Sequence, residues 1–322
     1  MIRVTSAFAA LSFVGLVSAT IAQIPSTAHG TWRVKAPMPG GGGDVAAVVV
    51  GDKLFVFGGS EAPQATRTAA EYDPATDKWR ERAPTMAGRN HLGIATVNGK
   101  IYTFGGFTLP VHQGANTDAA EYDPATDTWR MLAPMPTPLG SVGAAAVGGK
   151  IHVIGGRGVD GNTVGNHTVY DPTTNKWTTA APLPRARDHL GIVAVDGKIH
   201  VVGGRFTSPD DRTDMHDVYD PGTDSWSTAA PLKTARSAVA AARYRGLIVV
   251  DGGEFPVENR TFIENEGYDL KTNTWVSLAP LPRGRHGFGA GVIGENLYFV
   301  GGALAPGGSG GNTNELLMFT LP

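Results

Sequence analysis

The chain has no cysteine. That excludes disulfides, thiolate catalysis, Cys-ligated zinc or iron–sulfur centres and a lipidated N-terminal cysteine. The fold must therefore hold without covalent staples. Charge is also scarce, at 17% of residues, and nearly balanced, with 27 Lys plus Arg against 29 Asp plus Glu. A formal charge of −2 removes the broad electrostatic argument for nucleic acid or an anionic membrane surface as partner. Two catalytic signatures are missing: no Gly-x-Ser-x-Gly elbow and no His-Glu-x-x-His occurs. The Gly40–Gly43 run lacks the Lys-Ser/Thr of a phosphate loop. The loop Asp210–Asp217 matches no calcium loop with its Gly and terminal Glu. What is abundant is turn chemistry, with 44 glycines and 22 prolines in 322 residues. This exceeds the usual share without reaching the level of disorder. Apolar residues at 41% supply a core.

The N-terminus stands apart in composition. Arg3 is its only charge, an apolar stretch runs from Phe8 to Val17, and Thr20-Ile21-Ala22 offers a small-x-small cleavage site. This is the layout of a secretory signal peptide over residues 1–22. Val17-Ser18-Ala19 is a second cleavage option, and a retained anchor is the alternative reading. Cleavage after Ala22 leaves residues 23–322 as one domain, periplasmic or secreted, with no further membrane attachment.

The remainder is repetitive. Gly-Gly pairs begin at Gly58, Gly105, Gly155, Gly203, Gly252 and Gly301, spaced 47, 50, 48, 49 and 49 residues apart. All six tryptophans follow the same spacing: Trp32, Trp79, Trp129, Trp177, Trp226 and Trp275. Tyr72, Tyr122, Tyr170, Tyr219 and Tyr268 each lie seven residues before a Trp, and Phe319 is the sixth such aromatic. An Ala-Pro follows each Trp. Each repeat reads as four short strands. Strand a is a small-residue apolar run. A tight turn, Asn98-Gly99 in one repeat, leads to strand b, which ends at the Gly pair. Strand c ends in Tyr-Asp-Pro in most repeats, and strand d holds the Trp. The first d strand, around Trp32, has no partner of its own, and neither has the last c strand, around Phe319. Joining them completes a sixth blade and leaves the ring without an open edge.

The Gly-Gly, Tyr-Asp-Pro and Trp at these offsets resemble the Kelch family, six times over from Trp32 to Pro322. That resemblance implies an all-β, six-bladed β-propeller of four antiparallel strands per blade, monomeric by default. It does not imply a function, because the fold serves interaction proteins and enzymes alike.

In such a ring the b–c loops and the starts of the a strands meet at one mouth of the channel. Sixteen residues before each Gly pair stand Gly42, Arg89, Leu139, Arg187, Arg236 and Arg285; fourteen before stand Asp44, His91, Ser141, His189, Ala238 and Gly287. Directly after the pairs come Ser60, Phe107, Arg157, Arg205, Glu254 and Ala303. The register predicts six arginines (Arg89, Arg157, Arg187, Arg205, Arg236, Arg285) and two histidines (His91, His189) near one mouth. Such a basic concavity suits a small anionic ligand, since the Arg fork grips a carboxylate. The alternative is that these side chains serve the blades themselves. Two carboxylates are out of pattern. Glu254 is the only acid at its position, and Asp251 replaces the apolar residue found before every other Gly pair, which desolvates it. They are the candidates for proton transfer.

Two functions follow. In the first, an exported propeller binds a protein or glycan through the loops of one mouth, where Phe107, Phe206 and Phe255 lie beside the Gly pairs. In the second it is a carbohydrate-directed enzyme. The periplasmic sialic acid mutarotase group resembles the chain in size, signal peptide and six Kelch repeats. That implies a mutarotase of an anionic sugar, with Arg on the carboxylate and Glu254 or Asp251 moving the proton. Galactose oxidase, another exported Kelch-like propeller, is excluded because its cofactor is built from a tyrosine cross-linked to a cysteine. No cofactor and no metal is expected.

Overall fold

The structure, a computed structural model, describes residues 30–322 apart from 62–63, 110–111, 209 and 308–309. The segment read as a signal peptide lies outside the described residues. Six four-stranded antiparallel sheets stand in a ring. In blade two, Gly93–Val97 is innermost, followed outward by Lys100–Phe104, Ala119–Asp123 and Thr128–Met131. The same order recurs around the ring, and each inner strand touches the next, the sixth meeting the first. Blade six takes its outermost strand from the other end of the chain. Thr31–Lys35 pairs antiparallel with Leu316–Thr320, bringing Trp32 opposite Phe319. The closure expected from the two lone strands is what the chain does.

The repeat residues bind one blade to the next. Each Trp indole donates to the carbonyl of the Ala-Pro alanine in the preceding blade, at 2.7–3.0 Å in all six cases. Five of those alanines also donate their N–H to an Asp or Asn carbonyl-type oxygen in the turn before that Trp, as Ala83 does to Asp127 Oδ1 at 2.8 Å. The same oxygen accepts the Tyr hydroxyl, Tyr122 at 2.5 Å from Asp127 for instance. One alanine is thus held at both its polar groups by the neighbouring blade. The turn residue adopts a left-handed backbone (Asp127 φ 56°), which Asp and Asn tolerate best.

The Gly pairs solve a crowding problem. At Gly203 an added Cβ would come within 2.7 Å of the Arg236 carbonyl oxygen of the next blade, and φ is +63°. The next blade's backbone therefore passes where a side chain would be. It is anchored there: Gly204 N–H donates to the same Arg236 oxygen at 2.9 Å.

Candidate functional site

Three registers converge where the strands a begin. The residue after each Gly pair bridges the residue fifteen before that pair, so that Asn90 lies beside Phe107, Gly140 beside Arg157, Asp188 beside Arg205, Ser237 beside Glu254 and His286 beside Ala303. One residue further on, Asp44, His91, Ser141, His189, Ala238 and Gly287 all adopt left-handed φ between 52° and 59°. Their backbones link in a collar: His91 N–H donates to Asp44, Ser141 to His91, Ala238 to His189 and Gly287 to Ala238, at 2.8–3.1 Å.

Asp188 is the centre of the polar network. It is fully buried and takes Arg157 Nε at 2.7 Å, Arg205 Nε at 3.3 Å and His189 Nδ1 at 2.5 Å. Burial pushes its carboxyl up, against Arg205 and Arg157. Two guanidiniums and an imidazole at hydrogen-bond distance favour the charged carboxylate, and we assign it the ionised form. Arg205 reaches onward, with Nη1 2.9 Å from Glu254 Oε1 and Nη2 3.0 Å from His189 Nε2. The second Glu254 oxygen accepts Gly307 N–H at 2.7 Å and lies 3.3 Å from His286 Nε2. His112, from the b–c loop of blade two, comes over the mouth to 3.1 Å from His189 Nε2. Burial first, with charge from Arg205 or neighbouring imidazoles, lowers the pKa of His91 to about 3, that of His112 to about 2 and that of His189 well below the usual value. All three imidazoles are neutral near pH 7.

The structure brings Arg157, Arg205, His91, His189 and Glu254 together, as their registers predict. It does not bring the other four arginines. Arg187, Arg236 and Arg285 are completely buried inside their own blades, beneath the Gly pairs. Arg187 donates to the Gly203 and Val201 carbonyls and pairs with Asp217 at 2.7 Å; Arg236 and Arg285 pair likewise with Glu266 and Glu315. Arg89 pairs with Asp118. The expected six-arginine mouth is corrected to two, because a side chain sixteen residues before the Gly pair turns into the blade. Among the described residues, Asp44, Asp188 and Glu254 stand with Arg157 and Arg205 at the collar, and Arg185 and Arg212 lie over the loop aromatics. Asp251 is fully buried too, both carboxyl oxygens lack a hydrogen-bond partner, and burial raises its pKa well above the usual range. Among the described residues it has no hydrogen bond to the Asp188 network.

Sequence reasoning passed over Asp188, Asn90 and His286, which stand in the register between the two that were read. His112 has no register at all, because the b–c loops differ in length. The loop aromatics are covered rather than offered. Phe107 is buried, Arg185 lies 3.8 Å over the Phe206 ring and Arg212 lies 3.4 Å over the Phe255 ring.

A family model described as the KLHDC2/KLHL20/DRC7 Kelch-repeats domain matches residues 24–183 and, overlapping them, 95–302. The chain belongs to the Kelch-repeat family. Among solved structures, this Kelch propeller is similar to one described as "Structure of YjhT", with a TM-score of 0.76 over 88% of this chain and 96% of that one. The two share 19% sequence identity, so the likeness is one of fold. No curated protein matches the chain.

Proposed function

We propose that this Kelch propeller is a binding module whose ligand, a small hydroxyl-rich molecule of the sugar class, sits at the channel mouth. The supporting observation is the continuous network Asp188–His189–Arg205–Glu254. It gathers charged donors and acceptors beside the collar, and such a set matches a polyol better than an apolar protein surface. The covered loop aromatics argue in the same direction. Residues 1–22 are proposed as an export signal, so the sugar is met in the periplasm or outside the cell. Mass spectrometry of the mature chain tests that with Gln23 as the expected N-terminus.

A second reading, sugar mutarotation, is favoured by one specific feature. His189 has Nδ1–H committed to Asp188, so Nε2, which faces Arg205 Nη2 at 3.0 Å, is the nitrogen that would act as base once a sugar hydroxyl replaces that contact, and Glu254 stands on the other side of Arg205. A base that takes the anomeric hydroxyl proton and an acid that protonates the ring oxygen together open the ring, and reversal on the other face closes it. The test is NMR on the mature protein with a neutral hexose and with N-acetylneuraminic acid. Saturation transfer without faster exchange of the anomers supports binding alone. Faster exchange that is lost in Glu254→Gln and His189→Asn supports catalysis. Neither signal with either sugar overturns the sugar reading in favour of a protein partner.

A further inference from the structure

We propose that His91, His112 and His189 form a binding site for a divalent transition-metal ion of the zinc class at the channel mouth. Two of the three come from collar positions, in blades two and four, and the third descends from the b–c loop of blade two. Their ring centroids make a near-equilateral triangle of 4.9, 4.9 and 4.8 Å, with the planes 68°, 70° and 89° apart. One ligand nitrogen from each lies within 4.8 Å of the other two.

The spacing of the closest pair is informative. His112 Nε2 and His189 Nε2 are 3.1 Å apart. Two nitrogens bound to one tetrahedral zinc lie about 3.3 Å apart. His189 Nε2 has a single lone pair, since Nδ1–H is committed to Asp188, yet three groups crowd it: His112 Nε2, Arg205 Nη2 at 3.0 Å and Ser141 Oγ at 3.4 Å. A metal ion satisfies His189 and His112 together, whereas a hydrogen bond from Arg205 satisfies one of them well. On binding, that Arg205 hydrogen bond gives way, while its Nε and Nη1 stay tied to Asp188 and Glu254.

The surroundings match what ligating imidazoles need. Outer carboxylates and amides commonly fix the ring nitrogen that does not bind the metal. Here Asp188 holds His189 Nδ1 at 2.5 Å and Asn90 Oδ1 lies 2.7 Å from His91 Nδ1. Asp44 Oδ1 adds a carboxylate 3.2 Å from His91 Nε2. Three imidazole nitrogens with one carboxylate beside them suit a borderline-soft dication better than calcium or magnesium, which take oxygen ligands. The buried pairs His152–His167 and His200–His216 supply only two imidazoles each, bonded to one another at 2.8 Å, and no third ligand joins either pair among the described residues.

The test uses untagged mature protein stripped with chelator, and no sugar, so its outcome is separate from that of the sugar reading. Calorimetric titration with Zn²⁺ is expected to show one ion per chain at micromolar affinity or tighter. Co²⁺ is expected to give the strong visible bands of a four-coordinate site. His112→Ala, in the b–c loop of blade two, is expected to weaken binding by about tenfold or more, with a cooperative metal-free melting curve showing that the variant folds. His91→Ala is the second variant, and His152→Tyr is the control that leaves binding intact. No binding, or one-site binding undiminished in both His112→Ala and His91→Ala, overturns the proposal.

Discussion

Asp251 occupies a position that the other blades give to Phe57, Phe104, Ile154, Val202 and Val300. It is buried with neither oxygen bonded, close enough to Arg236 and Arg285 to feel both charges, and Arg285 Nε is itself unpartnered. Its folded pKa is raised, so the fold keeps the proton that the unfolded chain releases above about pH 4. Stability from this group is therefore full at low pH and lost as pH rises toward the folded pKa. Asp251→Val is expected to raise unfolding free energy at pH 7 by about 1–3 kcal/mol. Denaturant titrations at pH 4 and pH 7 check it, with the gain shrinking at the lower pH. Asp188 predicts the opposite sign. Asp188→Asn leaves the Arg157 guanidinium without its carboxylate and Arg205 with Glu254 alone, and is expected to cost about 3–5 kcal/mol in the same titration. These two acids were not equally legible. Asp251 stood out as a break in an apolar column. Asp188 did not, since its column holds Gly43, Asn90, Gly140, Ser237 and His286, and has no pattern to break.

Within single blades, the repeat marks turn out to be joints between sheets. Trp, Ala-Pro and the turn Asp or Asn were readable as periodic residues, and their spacing was enough to place every strand. Their hydrogen bonds to the next blade were not readable, because they connect residues more than forty positions apart. The arginines show the same limit: a side chain sixteen residues before a Gly pair and one directly after it look alike in sequence, yet one enters the blade and the other the mouth. Blades three and four also carry buried imidazole pairs, His152 with His167 and His200 with His216, at 2.8 Å. Burial lowers the pKa of His152, His200 and His216 to about 4 and lowers that of His167. These groups are neutral in the fold, and the unfolded chain takes up protons below about pH 6.5. Their stabilisation is complete above that pH and is lost as pH falls toward 4. The melting temperature is expected to drop across this window. Replacing the blade-three pair by the blade-two residues, His152→Tyr with His167→Ala after Tyr102 and Ala119, is expected to shallow the drop. An unaltered slope would show that these pairs do not set it.

The whole ring depends on one strand exchanged across the ends of the chain. Thr31–Lys35 supplies the outer edge of blade six, and Trp32 fastens it by its indole to Ala279 at 3.0 Å and by ring packing on Phe319 at 4.8 Å. Deleting residues 23–36 uncovers the edge of Leu316–Thr320 and part of the blade-six core. The expected result is a large fall in melting temperature with association of the truncated chains through the bared edge. An unchanged melting curve would falsify this closure. The ring itself was legible because each lone terminal strand lacks what the other supplies; the content of its mouth was legible only in part.

The collar at that mouth separates address from content. Six backbone positions are held at nearly one φ value, yet their side chains are Asp, His, Ser, His, Ala and Gly. Because a left-handed turn and blade-to-blade hydrogen bonds hold these sites, their chemistry can be rewritten or rotated around the axis with the scaffold untouched. The molecule is in this sense a dial, whose settings are independent of the wheel that carries them.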